Sequence, residues 1–518
     1  MKTFKCHDDY IFIPSDKGLG PVVAWRTMYG RRVCSEHLGN TRNYREITPQ
    51  MAKTLQQGLR YRFWDWMRKF YWAPKQAAEN PRHVPSDDDV TPISDAEHTF
   101  LDRAMEKNPS KLARFRMTMK IHKTPFKFRP IVCCAGTFMN DWSKWLDYQL
   151  QKLKPFVATY LQDSQQLLNE TKPLLLPPNA RLFTADANSM YNNIDTEHAI
   201  KVIGWWLDEL DATSELPIGY PLEAIKSAMA NIMRNNIFEL GVLCFLQLLG
   251  TAMGTSAAVM WATLYFGYHE AHCLIPRYSK NFMYFKRFID DIFGIWLLDD
   301  TTAWLDFKRD LNHFGILTWE INEPSLSVDF LDLTISIKNG RVETKTFQKE
   351  LNLYLYLPPA SAHPRNCIKG TIYGLICRYY ANNTHREDYI HFVTLLYQRL
   401  LARGWESSFI KPLIIGACAK METNTNTIAP QATPATQDDL LFLHLEHHPN
   451  DISSKDLRLL YEHHCGDLFK QELGITRTIV AYSRPRNIGE YVTQAKFYEA
   501  PERSASSFMG EYKQGLDP

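Results

Sequence analysis

The sequence has few cysteines and shows no pattern in their spacing. Ten cysteines are spread over 518 residues, and they form neither a Cys-x-x-Cys pair nor a regular framework. Secreted domains held by disulfides, and zinc ribbons, need such spacing, so the sequence argues against both classes. The first nine residues are also too charged for a signal peptide. We therefore expect an intracellular protein with reduced thiols.

Long uncharged runs are scarce as well. One run, residues 240–268, is long enough by count to span a bilayer. Glycine and glutamine interrupt it, so we expect no membrane-spanning segment and no membrane partner. With 45% hydrophobic and 13% aromatic residues, the chain can fill several packed cores.

A strong excess of charge of one sign is also missing, because the net charge is only +2. Positive charge is nevertheless concentrated locally: residues 26–75 contain eleven Lys or Arg against three acidic residues, and residues 101–130 contain nine against two. Such surpluses suit a nucleic-acid backbone and predict salt-dependent binding, with a solvated helix face as the alternative for any single residue. Aromatic residues at 61–72 could stack on bases, but their helical spacing favours a core.

Two adjacent carboxylates, Asp290 and Asp291, lie between two hydrophobic runs. The pattern predicts two strands joined by a tight turn, with the acidic pair at the tip. An unpaired buried carboxylate is very costly, so these side chains must face solvent, a metal ion or a partner charge.

A third carboxylate, Asp186, ends another short predicted strand, and a helix should begin nearby at Asp195 or Thr196. Hard divalent cations such as Mg²⁺ take oxygen ligands and often complete their shell with substrate phosphates. Two or three carboxylates at strand ends are therefore enough for a two-metal phosphoryl-transfer site.

Four segments of the chain resemble, in order and spacing, motifs A, B, C and E of reverse transcriptases. They are Asp186 with Tyr191, and residues 250–256, 288–291 and 330–333. The particular residues are similar to those of the Penelope-like retroelement branch, which further segments also match: residues 16–18, 120–123 with 129–132, and 361–364. The resemblance covers residues 11–405, with a weaker echo at 484–488. A lone acidic pair would be weak evidence, whereas seven ordered motifs are specific.

The resemblance implies an α+β fold of the right-hand polymerase type, with fingers, an antiparallel palm sheet, a helical thumb and a C-terminal extension. The implied boundaries are 1–97 for an N-terminal region and fingers extension, 98–180 for the fingers, 181–345 for the palm, 346–420 for the thumb, and 421–518 for a linker and C-terminal region.

The resemblance also implies the roles of the acidic residues. Asp186 and Asp290 would bridge two Mg²⁺ ions, with Mn²⁺ as a substitute, while Asp291 would lie beside them and the Ala187 carbonyl would complete the shell. Tyr191 would place its ring against the sugar of the incoming nucleotide. A ring there excludes a 2′-hydroxyl, so the implied substrate is a deoxynucleotide.

The remaining implied site residues contact the nucleotide or the primer. Arg129, Lys120 and Lys123 would bind the triphosphate, with template contact as an alternative for the two lysines. Met253 and Gly254 would lie against the templating pair, and residues 257–259 lack the proline usual after this glycine. Phe330 and Leu331 resemble a primer grip, although hydrophobic strand residues are an alternative reading.

Together these features predict an RNA-directed DNA polymerase whose partners are an RNA template, a DNA primer, their hybrid and dNTPs, in the nucleus. The alternative is a catalytically silent nucleic-acid-binding protein on the same scaffold. Many Penelope-like elements also carry a GIY-YIG endonuclease, and only residues 371–374 resemble part of it, so we expect none. Six His and Cys residues between 444 and 465 match no standard zinc spacing.

Overall fold

Sixteen strands and fifteen helices are seen in the part of the chain that the structure, a computed structural model, describes: residues 9–16, 20–79, 90–107, 111–121, 124–298, 300–349, 352–361, 363–423, 440–448, 452–475 and 477–483. The strands are β1 (Tyr10–Pro14), β2 (Pro21–Trp25), β3 (Tyr44–Ile47), β4 (Ala113–Lys120), β5 (Lys127–Cys133), β6 (Ala180–Ala187), β7 (Ile237–Leu240), β8 (Leu243–Gln247), β9 (Phe282–Phe288), β10 (Asp291–Leu297), β11 (Trp319–Ile321), β12 (Ser327–Phe330), β13 (Leu333–Lys338), β14 (Arg341–Thr346), β15 (Leu440–Glu446) and β16 (Arg477–Ser483).

The α-helices alternate with these strands. They are α1 (Arg26–Val33), α2 (Pro49–Met67), α3 (Ala73–Glu79), α4 (Asp95–Lys107), α5 (Phe138–Gln151), α6 (Ser164–Thr171), α7 (Thr196–Ala212), α8 (Leu222–Met233), α9 (Ala258–His269), α10 (Ile275–Tyr278), α11 (Thr301–Leu311), α12 (Arg365–Asn382), α13 (Arg386–Ala402), α14 (Ser407–Thr423) and α15 (Ser454–Leu473).

Side-chain caps explain several helix starts. The Asp195 carboxylate accepts a hydrogen bond from the His198 N–H at 2.9 Å, so α7 begins at Thr196 as the sequence predicts. Ser94 and Glu97 form a capping box, in which the Glu97 carboxylate accepts from the Ser94 N–H at 2.8 Å and the Ser94 hydroxyl accepts from the Glu97 N–H. Helix α9 has no side-chain cap at Ala257, and the Ala257 N–H donates instead to the Ser143 hydroxyl at 3.0 Å.

A four-stranded sheet of order β11-β6-β10-β9 is antiparallel throughout and carries the acidic motifs. In its central strand β10, Ile292, Phe293, Ile295 and Trp296 are all buried. Consecutive buried residues point to opposite faces of a strand, so both faces of β10 are covered. The other sheets are β3-β8-β7-β4-β5, β12-β13-β14 and the pairs β1-β2 and β15-β16. The predicted α+β class is confirmed.

The chain divides into two compact units. The first comprises Met1–Phe330 and Ser336–Val342, with residues 492–518, which lie outside the described part. Its main core packs α2, α5, α7, α8 and α9 around the four-stranded sheet, and a smaller core lies on the five-stranded sheet. The aromatic stretch at 61–72 is mostly core, since Phe63, Trp66 and Phe70 are buried while Tyr61 is exposed.

The second unit comprises Leu331–Ile335 and Glu343–Tyr491. Helices α12, α13 and α14 enclose its core, which includes Ile376, Leu396 and Ile410. Residues 368–403 are helical, with a break between Asn382 and Arg386. The finer division into fingers, palm and thumb stays a prediction. No helix in the described ranges has both the length and the apolar character needed to cross a membrane.

Candidate active site

The β6-β10 ladder brings two of the predicted carboxylates side by side. Asp186, the penultimate residue of β6, is directly opposite Asp291, the first residue of β10. Opposed residues of an antiparallel pair share one face of the sheet, with Cβ atoms about 4.5–5.5 Å apart. Asp186 is exposed and Asp291 is half-buried. The register therefore places two carboxylates, separated by 105 positions in the sequence, at one end of the sheet.

Asp290 occupies the two-residue turn between β9 and β10, as the sequence predicts. Its carbonyl oxygen accepts a hydrogen bond from the Ala187 N–H at 2.9 Å, which ties the turn to the end of β6. The preceding residue, Ile289, has φ +55°, a left-handed conformation that is strained for a β-branched side chain. N–H and C=O of one strand residue point to the same side, so the Ala187 carbonyl also faces the turn.

Sequence reasoning missed a third carboxylate in this row. Glu320 of β11 is directly opposite Asp186 on its other side, and it is exposed. Glu320, Asp186 and Asp291 thus lie across three neighbouring strands at the same level. Like charges directly opposite each other destabilise a sheet, and a bound cation would offset that cost. Only the strand register could have revealed Glu320, because the local sequence around it shows no acidic motif.

The donor set fits Mg²⁺ in one specific way. Among the residues described, no three His, Cys, Asp or Glu side chains converge closely enough to hold a metal ion alone. Mg²⁺ typically takes one or two protein carboxylates and completes its octahedron with water and substrate phosphates. Asp186 and Asp291, with Asp290 and the Ala187 carbonyl beside them, fit a site that the substrate completes rather than a closed protein cage. The His and Cys residues at 444–465 likewise form no such group.

Tyr191 lies near the acidic turn. It belongs to the short 3₁₀ turn Met190–Asn192 that follows β6, and it is half-buried. Burial, together with the negative charge of Asp290, raises the pKa of its phenol to about 12. The hydroxyl is therefore neutral at physiological pH.

Gly250 supports the Tyr191 turn through backbone contact. Its N–H donates to the Ile194 carbonyl at 2.7 Å, and the Thr251 N–H donates to the Tyr191 carbonyl at 2.8 Å. A Cβ added at Gly250 would lie 2.0 Å from the Tyr191 carbonyl oxygen, and φ is +72°. Only glycine fits this close approach.

Gly254 makes a second close approach, to strand β5. A Cβ there would lie 2.0 Å from the Val132 carbonyl oxygen, and φ is +137°. The Met253 carbonyl accepts from the Val132 N–H at 2.9 Å. The missing Cβ thus permits close approach to the Val132 backbone, while the implied contact of Gly254 with the templating pair stays a prediction. Residues 250–254 thus connect the Tyr191 turn to β5.

Arg129 lies on β5, and its guanidinium forms an ion pair with the Asp16 carboxylate, Nη2 to Oδ2, at 3.4 Å. The Asp16 side chain is only 8% exposed, whereas that of Arg129 is 44% exposed. The pair therefore anchors an arginine that still reaches solvent. Lys120, the last residue of β4, is half-buried and is opposite Lys127. Lys123 lies outside the described residues, as do residues 17–18 and 484–488.

Phe330 and Leu331 are at the end of β12. The Phe330 ring is buried and packs against Phe293 of β10, with centroids 5.4 Å apart. Leu331 is half-buried and has φ +54°. The hydrophobic-strand reading therefore holds for Phe330, and the primer-grip role of both residues stays a prediction.

Comparisons with known proteins find similarity only among solved structures, since neither a family model nor a curated protein matches the chain. The chain is similar to telomerase from Candida albicans in complex with a TWJ fragment of telomeric RNA, at 10% identity and TM-score 0.41, covering 64% of this chain and 65% of that one. It is also similar to the Sicinivirus 3Dpol RNA-dependent RNA polymerase, at 9% identity and TM-score 0.39, covering 64% and 73%.

A third similar structure is the BmCPV RNA-dependent RNA polymerase at its elongation state, at 12% identity and TM-score 0.37, covering 72% of this chain and 33% of that one. The chain spans 58% to 66% of the Candida telomerase structures that it matches. At TM-scores below 0.5, these similarities establish no family for the chain.

Proposed function

We propose that this chain is an RNA-directed DNA polymerase that extends a primer 3′-hydroxyl with dNTPs on an RNA template. The observation that carries the proposal is the strand register, which sets Asp186 opposite Asp291 and ties Asp290 to Ala187. Carboxylates at the ends of neighbouring strands suit two-metal phosphoryl transfer.

In this proposal Asp186, Asp290 and Asp291, together with the Ala187 carbonyl, would hold two Mg²⁺ ions. The bound ions would lower the pKa of the primer 3′-hydroxyl and neutralise charge on the departing pyrophosphate. The carboxylates would hold the reacting groups in line. Mn²⁺ has similar oxygen preferences and is expected to substitute.

Tyr191 supports the choice of deoxynucleotides. Its turn is fixed by Gly250, so the ring cannot easily retreat from a 2′-hydroxyl. Arg129, Lys120 and Lys123 are proposed to bind the triphosphate, and Phe330 and Leu331 to position the primer. Met253 and Gly254 are proposed to contact the templating pair in addition to β5.

The motif order further supports a Penelope-like retroelement origin and a right-hand arrangement of fingers, palm and thumb. We propose that the protein acts in the nucleus, where DNA primer ends are found. Exposed cations in the 26–75 region, among them Arg42, Arg45 and Lys53, are available to a nucleic-acid backbone.

Primer extension on a poly-rA/oligo-dT hybrid tests the proposal, with dTTP against UTP in Mg²⁺ and in Mn²⁺. We expect dTTP incorporation that disappears in Asp290→Ala and survives in Asp211→Asn, a matched change at an exposed carboxylate in α7. Preferential use of UTP would contradict the role of Tyr191. Tight hybrid binding without incorporation would favour the silent scaffold.

A further inference from the structure

Arg287, in strand β9, lies beneath the acidic turn and is fully buried. Its guanidinium holds the Glu270 carboxylate through Nε at 2.6 Å and Nη2 at 2.9 Å. Nη2 also donates to the Thr263 carbonyl at 2.9 Å, and Nη1 donates to the Ile289 carbonyl at 2.9 Å. The side chains of Arg287 and Glu270 are 1% and 0% exposed.

The fourth of these contacts reaches the residue that determines the turn. Ile289 has φ +55°, and a strained residue of this kind persists only where its surroundings hold it in place. The Ile289 carbonyl belongs to the peptide group that leads into Asp290. Arg287 therefore fixes the peptide before Asp290, while the Ala187 N–H fixes the peptide after it.

Glu270 is in turn held rigidly. The Thr159 hydroxyl donates to its Oε2 at 2.5 Å, and the backbone of Arg287 exchanges hydrogen bonds with Thr159 and Leu161. Glu270 begins the π-helical segment Glu270–Leu274 that follows α9. Such π-turns inside helices occur often at functional sites.

Stability alone does not explain this pair. Desolvating two charges is expensive, and replacing a buried ion pair with apolar residues of similar volume is often neutral or stabilising. An apolar pair at these positions could fill the same space, but it could not donate to the Ile289 carbonyl.

We propose that Arg287, oriented by Glu270, is a positioning residue that holds the Asp290 turn in the conformation needed for metal binding. This inference rests on the proposed function, which says what the bound ions do. It does not depend on polymerase activity for its test, because metal binding to the turn can be measured directly.

The test is an EPR-monitored titration of the full chain with Mn²⁺, together with thermal unfolding and hybrid binding. The main variant replaces both partners, Arg287→Met with Glu270→Met, so that no charge is left buried alone. We expect its Tm and its hybrid affinity to match the wild type, while Mn²⁺ binds about 10–100-fold more weakly, as when outer-shell partners of metal ligands are removed.

Three further variants make the result decisive. Asp290→Asn defines the signal of the turn site. Arg287→Lys keeps the cation beside Glu270 but removes the fork, and we expect weakened Mn²⁺ binding with the fold retained even if the double variant fails to fold. Asp310→Asn disturbs another buried carboxylate, paired with Tyr278 at 2.8 Å, and should lower Tm without changing Mn²⁺ affinity.

Mn²⁺ affinity within twofold of wild type in a folded Arg287 variant would overturn the inference, as would a wild type that binds Mn²⁺ no better than Asp290→Asn. Failure of the proposed function looks different. A wild type that binds Mn²⁺ through Asp290, loses it in the Arg287 variants and extends no primer would refute the polymerase and keep the positioning role.

Discussion

Replacing Gly250 with alanine should destabilise the protein and disturb the Tyr191 turn together. The new Cβ would lie 2.0 Å from the Tyr191 carbonyl oxygen, so the two backbone segments must separate by about 1.4 Å to reach an ordinary contact of 3.4 Å. The φ of +72° adds about 1–2 kcal/mol for an L residue. Overpacking against backbone typically adds about 1–3 kcal/mol.

The two contributions give a loss of about 2–5 kcal/mol in the free energy of unfolding. At about 2 °C per kcal/mol for a large domain, Tm should fall by roughly 4–10 °C. Since the strain falls on the Tyr191 turn, discrimination between dTTP and UTP should also weaken. Differential scanning calorimetry and primer extension measure the two effects.

Gly58→Ala is the matched control, because Gly58 lies inside α2 and a Cβ there meets nothing within 4 Å. Alanine is favoured over glycine in a helix by up to about 1 kcal/mol, so this variant should be unchanged or more stable. A Gly250→Ala protein with the wild-type Tm and selectivity would refute the reasoning about this contact.

Further predictions concern the side chains of Tyr191, Arg129 and Glu320. Tyr191→Phe should keep its preference for dTTP, because the ring excludes the 2′-hydroxyl, whereas Tyr191→Ala should admit UTP; competition assays decide. The Tyr191 phenol has a pKa of about 12 in the folded chain against 10 in the unfolded chain. Its contribution to the free energy of unfolding is therefore complete below pH 10 and is lost between pH 10 and 12, and Tyr191→Phe should not show this loss. Arg129→Gln should leave the Asp16 carboxylate buried without its cation, so it should lower stability by about 1–3 kcal/mol and raise the KM for dTTP. Adding Asp16→Asn to this variant should restore stability but not the KM. Glu320→Gln should relieve repulsion from Asp186, and so raise stability by about 0.2–1 kcal/mol in metal-free buffer. The gain should be smaller with Mg²⁺ present, because a bound cation already offsets the repulsion. Equal gains in both buffers would contradict a cation near Glu320 and Asp186.

Local signals allowed the sequence to predict much of the first unit. The strand-turn-strand around Asp290, the strand ending near Asp186 and the helix start at Asp195 each depend on residues close in the chain, and all are present.

Contacts between distant residues were beyond sequence reasoning. The pairing of Glu320 with Asp186 depends on which strands become neighbours and in which register, and neither is encoded locally. The β7-β8 hairpin turns at Gly241 and Val242, a pair that is not a strong turn signal, inside a run that carries no charge. No local signal marks Arg287 as buried, because a basic residue in a strand usually faces solvent and its partner Glu270 lies in an irregular helical turn.

The central claim is that Asp186, Asp290 and Asp291 hold metal ions at the β6-β10 end, and cleavage by bound iron tests it most directly. With added hydrogen peroxide, Fe²⁺ placed in a Mg²⁺ site is oxidised to Fe³⁺ and releases hydroxide and a hydroxyl radical, and the radical cuts the nearby backbone. The account predicts cuts close to residues 186–191 and 288–292. Mg²⁺ should prevent these cuts by competing with Fe²⁺ for the site, and they should be absent from the double variant Asp186→Asn with Asp290→Asn. The same cuts in that variant, or cuts only elsewhere in the chain, would contradict it.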